Sequence, residues 1–221
     1  MSWSPAKVPG PPPGTGKASR SAGSTAAGRR SRERILRAAV ELITEIGVDS
    51  VRLAEIARRA GMSSGQVMYY FESKEHILLE TLAMREGEET ASRRKLMPRT
   101  PPGWPRLELF VDLYLPEDAT DPVWILWIEA WARAPHRDQF SDFLDGLMQP
   151  WREDLAAIID QGVTLSMFRR LPPDSDFPLR FCAVLDGLSV LYLRQMPQQS
   201  RDWLIHLALT SAAAELGGPA S

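Results

Sequence analysis

Residues 52–75, RLAEIARRAGMSSGQVMYYFESKE, decide how this chain is read. Leu53, Ile56 and Ala57 recur on one side at helical spacing, and Gly61 breaks that helix. Ser63 can cap a second short helix, leaving Gln66, Tyr69 and Tyr70 free to project. Two short helices joined by a glycine turn, the second with polar and aromatic tips, form the arrangement that reading the DNA major groove requires.

Outward toward the N-terminus, helical patterning begins near Ser31. Ile35, Ala39, Leu42, Ile43 and Ile46 make one apolar stripe that ends at Gly47. Before it, residues 1–28 are rich in Pro, Gly, Ser and Ala and predict a disordered basic arm. Seven basic residues face only Glu33 within the first 34, although the whole chain carries a net charge of −2. The rest is therefore acidic. A basic arm on an acidic body suits DNA phosphates, and it equally suits a solubilising tail.

Toward the C-terminus, a longer helix is expected from Ser73 to about Lys95, stopped by the prolines of PRTPPGWP. Further helices are expected over 105–115, 121–134, 137–162, 176–195 and 199–216, with Pro150 kinking or splitting the third. Alternating strand patterns are nearly absent. The fold class is all-α: an N-terminal three-helix helix-turn-helix domain over 29–76, joined to a C-terminal helical domain over 77–217.

Composition narrows the class further. With 44% hydrophobic and 24% charged residues, the chain reads as a soluble globular protein. Its single cysteine, Cys182, excludes an internal disulfide and fits a reducing cytoplasm. Asp186 interrupts the best apolar run, Phe181–Leu193, so no membrane span is expected. A cytoplasmic location and no membrane partner follow.

Two motifs are decoys. PPPGTGKA, Pro11–Ala18, approaches a phosphate-binding loop but has Pro11 for its first glycine and Ala18 for its hydroxyl, with no preceding strand. GMSSG, Gly61–Gly65, matches a serine-hydrolase elbow but follows a helix, so Ser63 reads as a cap. His76, His136 and His206 are widely separated, without metal-ligand spacing. Neither an enzyme nor a cofactor is expected.

RERILRAAVELITEIG followed by IARRAGMSSGQVMYYFESKEHIL resembles the DNA-binding domain of TetR-type transcriptional regulators over about residues 31–80. Val51 stands where the family often has threonine, and Met68 where tyrosine is common. The resemblance implies a DNA surface made of Ser63, Ser64, Gly65, Gln66, Tyr69, Tyr70 and Lys74; Arg52 reads equally as a phosphate contact or as a solvated arginine. Bottom-up chemistry adds that Gln66 can pair with adenine, worth about 1–3 kcal/mol of discrimination. Phe71 and Val67 read as core. WILWIEAWARAP, WREDLAAIIDQGVTLSMFR and AVLDGLSVLYL resemble, more loosely, the BetI-like subgroup of that family.

The C-terminal half supplies two further sets of residues. Trp124, Trp127 and Trp131 share a helix face, with Phe110 and Tyr114 on the helix before and Met148 and Trp151 on the one after. They read as ordinary core or as the lining of an effector cavity. Asp186 on an apolar helix needs a partner: an internal arginine or hydroxyl, or a cationic ligand shared with Trp127 and Trp131. Helix 176–195 is apolar nearly all round. Phe181, Val184, Leu185, Leu188, Leu191 and Tyr192, with Trp203, Leu204, Leu207 and Ala208 of the last helix, predict a four-helix dimer interface, with a single thick core as the alternative. The partners expected are thus double-stranded operator DNA, a small-molecule effector and a second copy of the chain. An all-α enzyme and a helical protein-interaction module are the alternative readings.

Overall fold

A computed structural model describes residues 25–136, 138–172, 175–195 and 200–218. Among these residues there are nine α-helices and no strand, as an all-α chain requires. They are α1 (Ala26–Ile46), α2 (Leu53–Arg59), α3 (Ser64–Tyr70), α4 (Lys74–Leu96) and α5 (Trp104–Tyr114). After them come α6 (Pro122–Trp131), α7 (Asp138–Thr164), α8 (Phe177–Leu193) and α9 (Arg201–Leu216). No described helix is long and apolar enough to cross a membrane. Nearly all of the expected basic arm, and the Pro11–Ala18 decoy with it, lies outside the described residues.

The helices gather into two compact units. The first takes the described residues up to Gly87 together with Pro122–Leu147; the second takes Glu88–Asp121 and the described residues from Met148 onward. The division does not follow the 76/77 boundary read from the sequence. It cuts through α4 and α7, and it assigns α6 to the N-terminal unit.

In the first unit, α1 begins five residues before the patterning near Ser31, because Thr25 Oγ1 accepts the Gly28 N–H at 3.0 Å and caps the extra turn. Its inner face, Ile35, Leu36, Ala39, Leu42 and Ile43, is buried; Ile46 is 46% exposed and outside the core. Val51 is buried too, so α2 starts without a hydroxyl cap. Instead the Glu55 carboxylate accepts the Arg52 N–H at 2.8 Å, and Ile56 and Ala57 face inward. Gly61 turns the chain at φ +65°, a left-handed conformation that glycine adopts at no steric cost. The Arg34 guanidinium bonds the Ala60 carbonyl beside it.

Pro122 opens α6, which packs on α1. A polar clasp fastens it there. Glu129 Oε1 accepts the Val48 N–H at 3.3 Å, while Arg133 reaches Glu129 at 2.7 Å and Asp49 at 2.6 Å.

In the second unit, α9 packs on α5 and α8. Leu107, Phe110, Phe177, Phe181, Leu185, Leu204 and Ala208 form its core. Arg201 ties α9 to the end of α5 through the Asp112 carboxylate and the Pro116 carbonyl. Pro150 lies inside α7 without splitting it.

Candidate DNA interface and ligand-binding clusters

The tip of the first unit is built by reciprocal capping. Ser63 Oγ accepts the Gln66 N–H at 3.2 Å, and Gln66 Oε1 accepts the Ser63 N–H at 2.8 Å. Below, Val67 and Phe71 are fully buried, so α3 is held from one side only. Its other side is solvent-facing: Ser63, Ser64, Gly65, Gln66 and Met68 are exposed, Tyr69 is 51% exposed and Tyr70 is half-buried. The two tyrosine rings meet edge to face at 5.3 Å, which fixes their directions. Ser63 is a helix cap preceded by a helix, so the hydrolase-like GMSSG has no strand elbow.

Two members of this set are engaged internally. The Gln66 side chain is committed to its cap, so pairing both amide atoms with adenine requires it to swing away and forgo a cap worth about 1 kcal/mol. The Lys74 ammonium donates to the Val48 and Asp49 carbonyls at 3.2 and 3.1 Å, pinning the turn after α1. Arg52 is exposed at the start of α2.

The aromatic residues assigned to one effector cavity fall into two clusters, one in each unit. In the first unit the Trp127 ring lies 5.2 Å from Trp131, and the Trp124 ring 5.9 Å from Trp131. The acid beside them is Glu86: Trp127 Nε1 donates to Glu86 Oε1 at 2.6 Å, and both residues are buried. Sequence reasoning missed Glu86. Set in REGEE, it carries no apolar signal that separates it from solvated neighbours.

In the second unit, Trp151 packs against Phe110 at 5.5 Å and Tyr114 at 4.8 Å. The Arg93 guanidinium lies 3.6 Å above the Trp151 ring, and its Nε donates to Asp154 at 2.7 Å. Asp186 has an internal partner, the hydroxyl of Tyr114 at 2.7 Å. That selects the internal-hydroxyl alternative, and a cationic ligand is not needed to explain the residue. Burial pushes the Asp186 carboxyl up to about 6, against the downward pull of the Tyr114 hydrogen bond and the Arg152 charge. Burial and the Asp186 charge push the neighbouring Cys182 thiol up to about 12, which leaves it unreactive. Met148 is half-buried on α7.

The expected dimer set needs correction. Phe181, Leu185, Leu188, Leu204 and Ala208 are buried within the subunit's own core. Val184 and Trp203 are each 39% exposed, and Leu191, Tyr192 and Leu207 are half-buried. Leu179, outside the expected set, is 54% exposed on α8. Among the described residues no cluster of acids, histidines and cysteine could hold a metal ion.

Comparison with known proteins bears on the family. Residues 35–81 match the family model for bacterial regulatory proteins of the tetR family, and residues 105–217 match that for the C-terminal part of BetI-type transcriptional repressors. The HTH-type transcriptional regulator BetI of Paraburkholderia xenovorans is 27% identical over 110 residues, 49% of this chain and 56% of that protein. The HTH-type transcriptional repressor KstR of Rhodococcus jostii is 39% identical over 85 residues, 38% of each chain. The matches thus span about half the length of the first of these relatives. A solved Saccharomonospora viridis structure, described as a transcriptional regulator in complex with choline, superimposes with a TM-score of 0.75 at 26% identity. It covers 84% of this chain and 96% of that one. These relatives are regulators of transcription, not enzymes. A matched helix-turn-helix head and a matched C-terminal half that alone spans half the sequence establish that the chain belongs to the TetR family of transcriptional regulators.

Proposed function

We propose that the protein is a ligand-responsive repressor that binds a palindromic operator as a homodimer and leaves it when a small organic effector binds. What supports this most is the exposure of Ser63–Gln66 and Tyr69 on a helix whose inner face is locked by Val67 and Phe71. In this reading Ser63, Ser64, Gly65 and Gln66 approach bases, while Tyr69, Tyr70, Arg52 and Lys74 approach the backbone or thymine methyls. Two heads per dimer call for two half-sites about one helical turn apart. By linkage, DNA opposes the effector by the factor with which the effector opposes DNA. Helix α4 is the candidate lever, since it carries Lys74 in its first turn and Arg93 near its end. A DNA partner makes the cytoplasm the working compartment.

The test is a shift assay with the full chain on the DNA upstream of its own coding sequence, repeated at rising salt. Binding that falls steeply with salt is expected, because each neutralised phosphate releases counterions. Absence of a shift at every salt concentration would overturn the reading and leave a helical interaction module.

For the effector, Glu86 with Trp124, Trp127 and Trp131 has the chemistry that receives a cation: a buried carboxylate beside indole faces. The choline held by the Saccharomonospora viridis regulator favours the same class. Choline is therefore the first probe. It should quench tryptophan fluorescence and release DNA, and equal affinity in Glu86→Gln would count against Glu86 as its acid. The dimer is assigned to the solvent-facing side of α8 and α9, around Val184 and Trp203.

A further inference from the structure

Arg93 is placed where arginines are seldom left. Only 1% of it is exposed, yet both of its terminal nitrogens are buried without a hydrogen-bond acceptor among the described residues. A buried donor left unpaired carries its full desolvation cost, so the subunit retains a fork that its own packing does not satisfy. The fork is also held in a fixed plane. Its Nε is anchored to Asp154 at 2.7 Å, and the guanidinium stacks at 3.6 Å on Trp151, whose ring is gripped by Phe110 and Tyr114.

We infer that the terminal nitrogens of Arg93 form a receptor for the carboxylate of an organic monoacid whose apolar body packs among Phe110, Tyr114 and Trp151. The class follows from shape and surroundings. Two parallel N–H groups in one plane match the two oxygens of a carboxylate, a match a lysine cannot make. The aromatic flank favours an apolar body over a free inorganic anion. The fork is closed to solvent, so the acid enters by separating packed groups and is repaid by pairing donors that otherwise stay unsatisfied. Arg93 lies on α4, the same helix that begins at Lys74, so ordering the fork acts on the candidate lever. That regulatory consequence rests on the repressor reading; the binding itself does not.

Protons enter the same site. Asp186 faces Tyr114 from α5 and Arg152 from α7, and Cys182 on its own helix feels the charges of both Asp186 and Arg93. A second negative charge favours its protonated form, so acid binding takes up a proton.

The experiment titrates the full chain, without DNA, with hexanoate and benzoate against hexanamide and benzamide, followed by calorimetry and tryptophan fluorescence. Inorganic phosphate is a further arm. Expected are carboxylates binding at least about tenfold more tightly than their amides, a several-fold gain between pH 8 and pH 6, and loss of that gain in Asp186→Asn. Arg93→Lys, which keeps the charge and removes the fork, should weaken carboxylates about tenfold with thermal melting retained. Equal affinity for acid and amide, binding of phosphate alone, or no binding of any carboxylate by the wild type would each overturn the inference. The wild-type comparison decides even if the variants fail to fold. Failure here, with salt-sensitive operator binding intact, would leave the repressor reading standing.

Discussion

The hydroxyl of Tyr114 donates to Asp186 across α5 and α8 at 2.7 Å, and burial holds that carboxyl at about 6, above its usual 3.8. A carboxyl whose folded value exceeds its unfolded value binds its proton more tightly when folded. Its contribution is therefore present at acid pH and is lost as pH rises from about 4 to about 6, by roughly 1–3 kcal/mol. Asp186→Asn keeps an acceptor for Tyr114 and removes the charge. It should be more stable than wild type at pH 7.5 by about 1–2 kcal/mol and lack this pH slope. Urea melts at pH 5 and pH 7.5 measure both effects, and a wild-type slope unchanged by the substitution would contradict the assignment.

Tyr69 and Val67 lie close together on α3, one exposed and the other fully buried. Tyr69→Ala removes an exposed ring, so thermal stability should change by less than about 0.5 kcal/mol. Operator affinity should nevertheless fall at least about tenfold, the loss expected of one good contact. Val67→Ala should show the reverse order, losing about 1–2 kcal/mol of stability first. Fluorescence anisotropy alongside thermal melts separates the two. Unimpaired operator binding by Tyr69→Ala would show that α3 does not read DNA.

Lys74 meets two carbonyls of the turn after α1, and charged hydrogen bonds of this type contribute about 1.5–3 kcal/mol when buried. Half-buried as it is, Lys74→Met should cost about 1–2 kcal/mol by denaturant melts. Its operator affinity should fall as well, since the substitution removes a charge and loosens the turn after α1. A variant of unchanged stability would mean that the ammonium is solvated instead.

Val184 and Leu185 are adjacent on α8, one 39% exposed and the other fully buried. Val184→Asp, or Trp203→Asp on α9, should leave helicity intact and shift sedimentation from dimer to monomer. Leu185→Asp should instead unfold the chain, because an unpaired carboxylate in the core costs several kcal/mol. Dimers persisting in both surface variants would move the interface elsewhere.

The helix-turn-helix was legible because its signals are local. Gly61 supplies the left-handed turn, Ser63 the cap, and Ile56, Ala57 and Val67 the inward stripe, all within about a dozen residues. The C-terminal clusters were not legible in the same way. On α8 the apolar positions form two overlapping stripes, and periodicity cannot say that Phe181, Leu185 and Leu188 face the chain's own core while Val184 does not. The tryptophans of α6 were recognisable as a face. Their acid was not, because Glu86 gains meaning only from the 2.6 Å hydrogen bond with Trp127, 41 residues away in sequence. Arg93 was invisible for a related reason. RRK at a helix end reads as solvated charge until its burial is known.

The clasp of Glu129 and Arg133 on the Val48–Asp49 turn bears on any attempt to build chimeras from this protein. A transplant cut after Gly87 would leave behind the segment that steadies the turn between α1 and α2. Hybrids that carry Pro122–Leu147 along with the head should keep a well-ordered reader; those that omit it should inherit a loosened one, whatever sensor they are joined to.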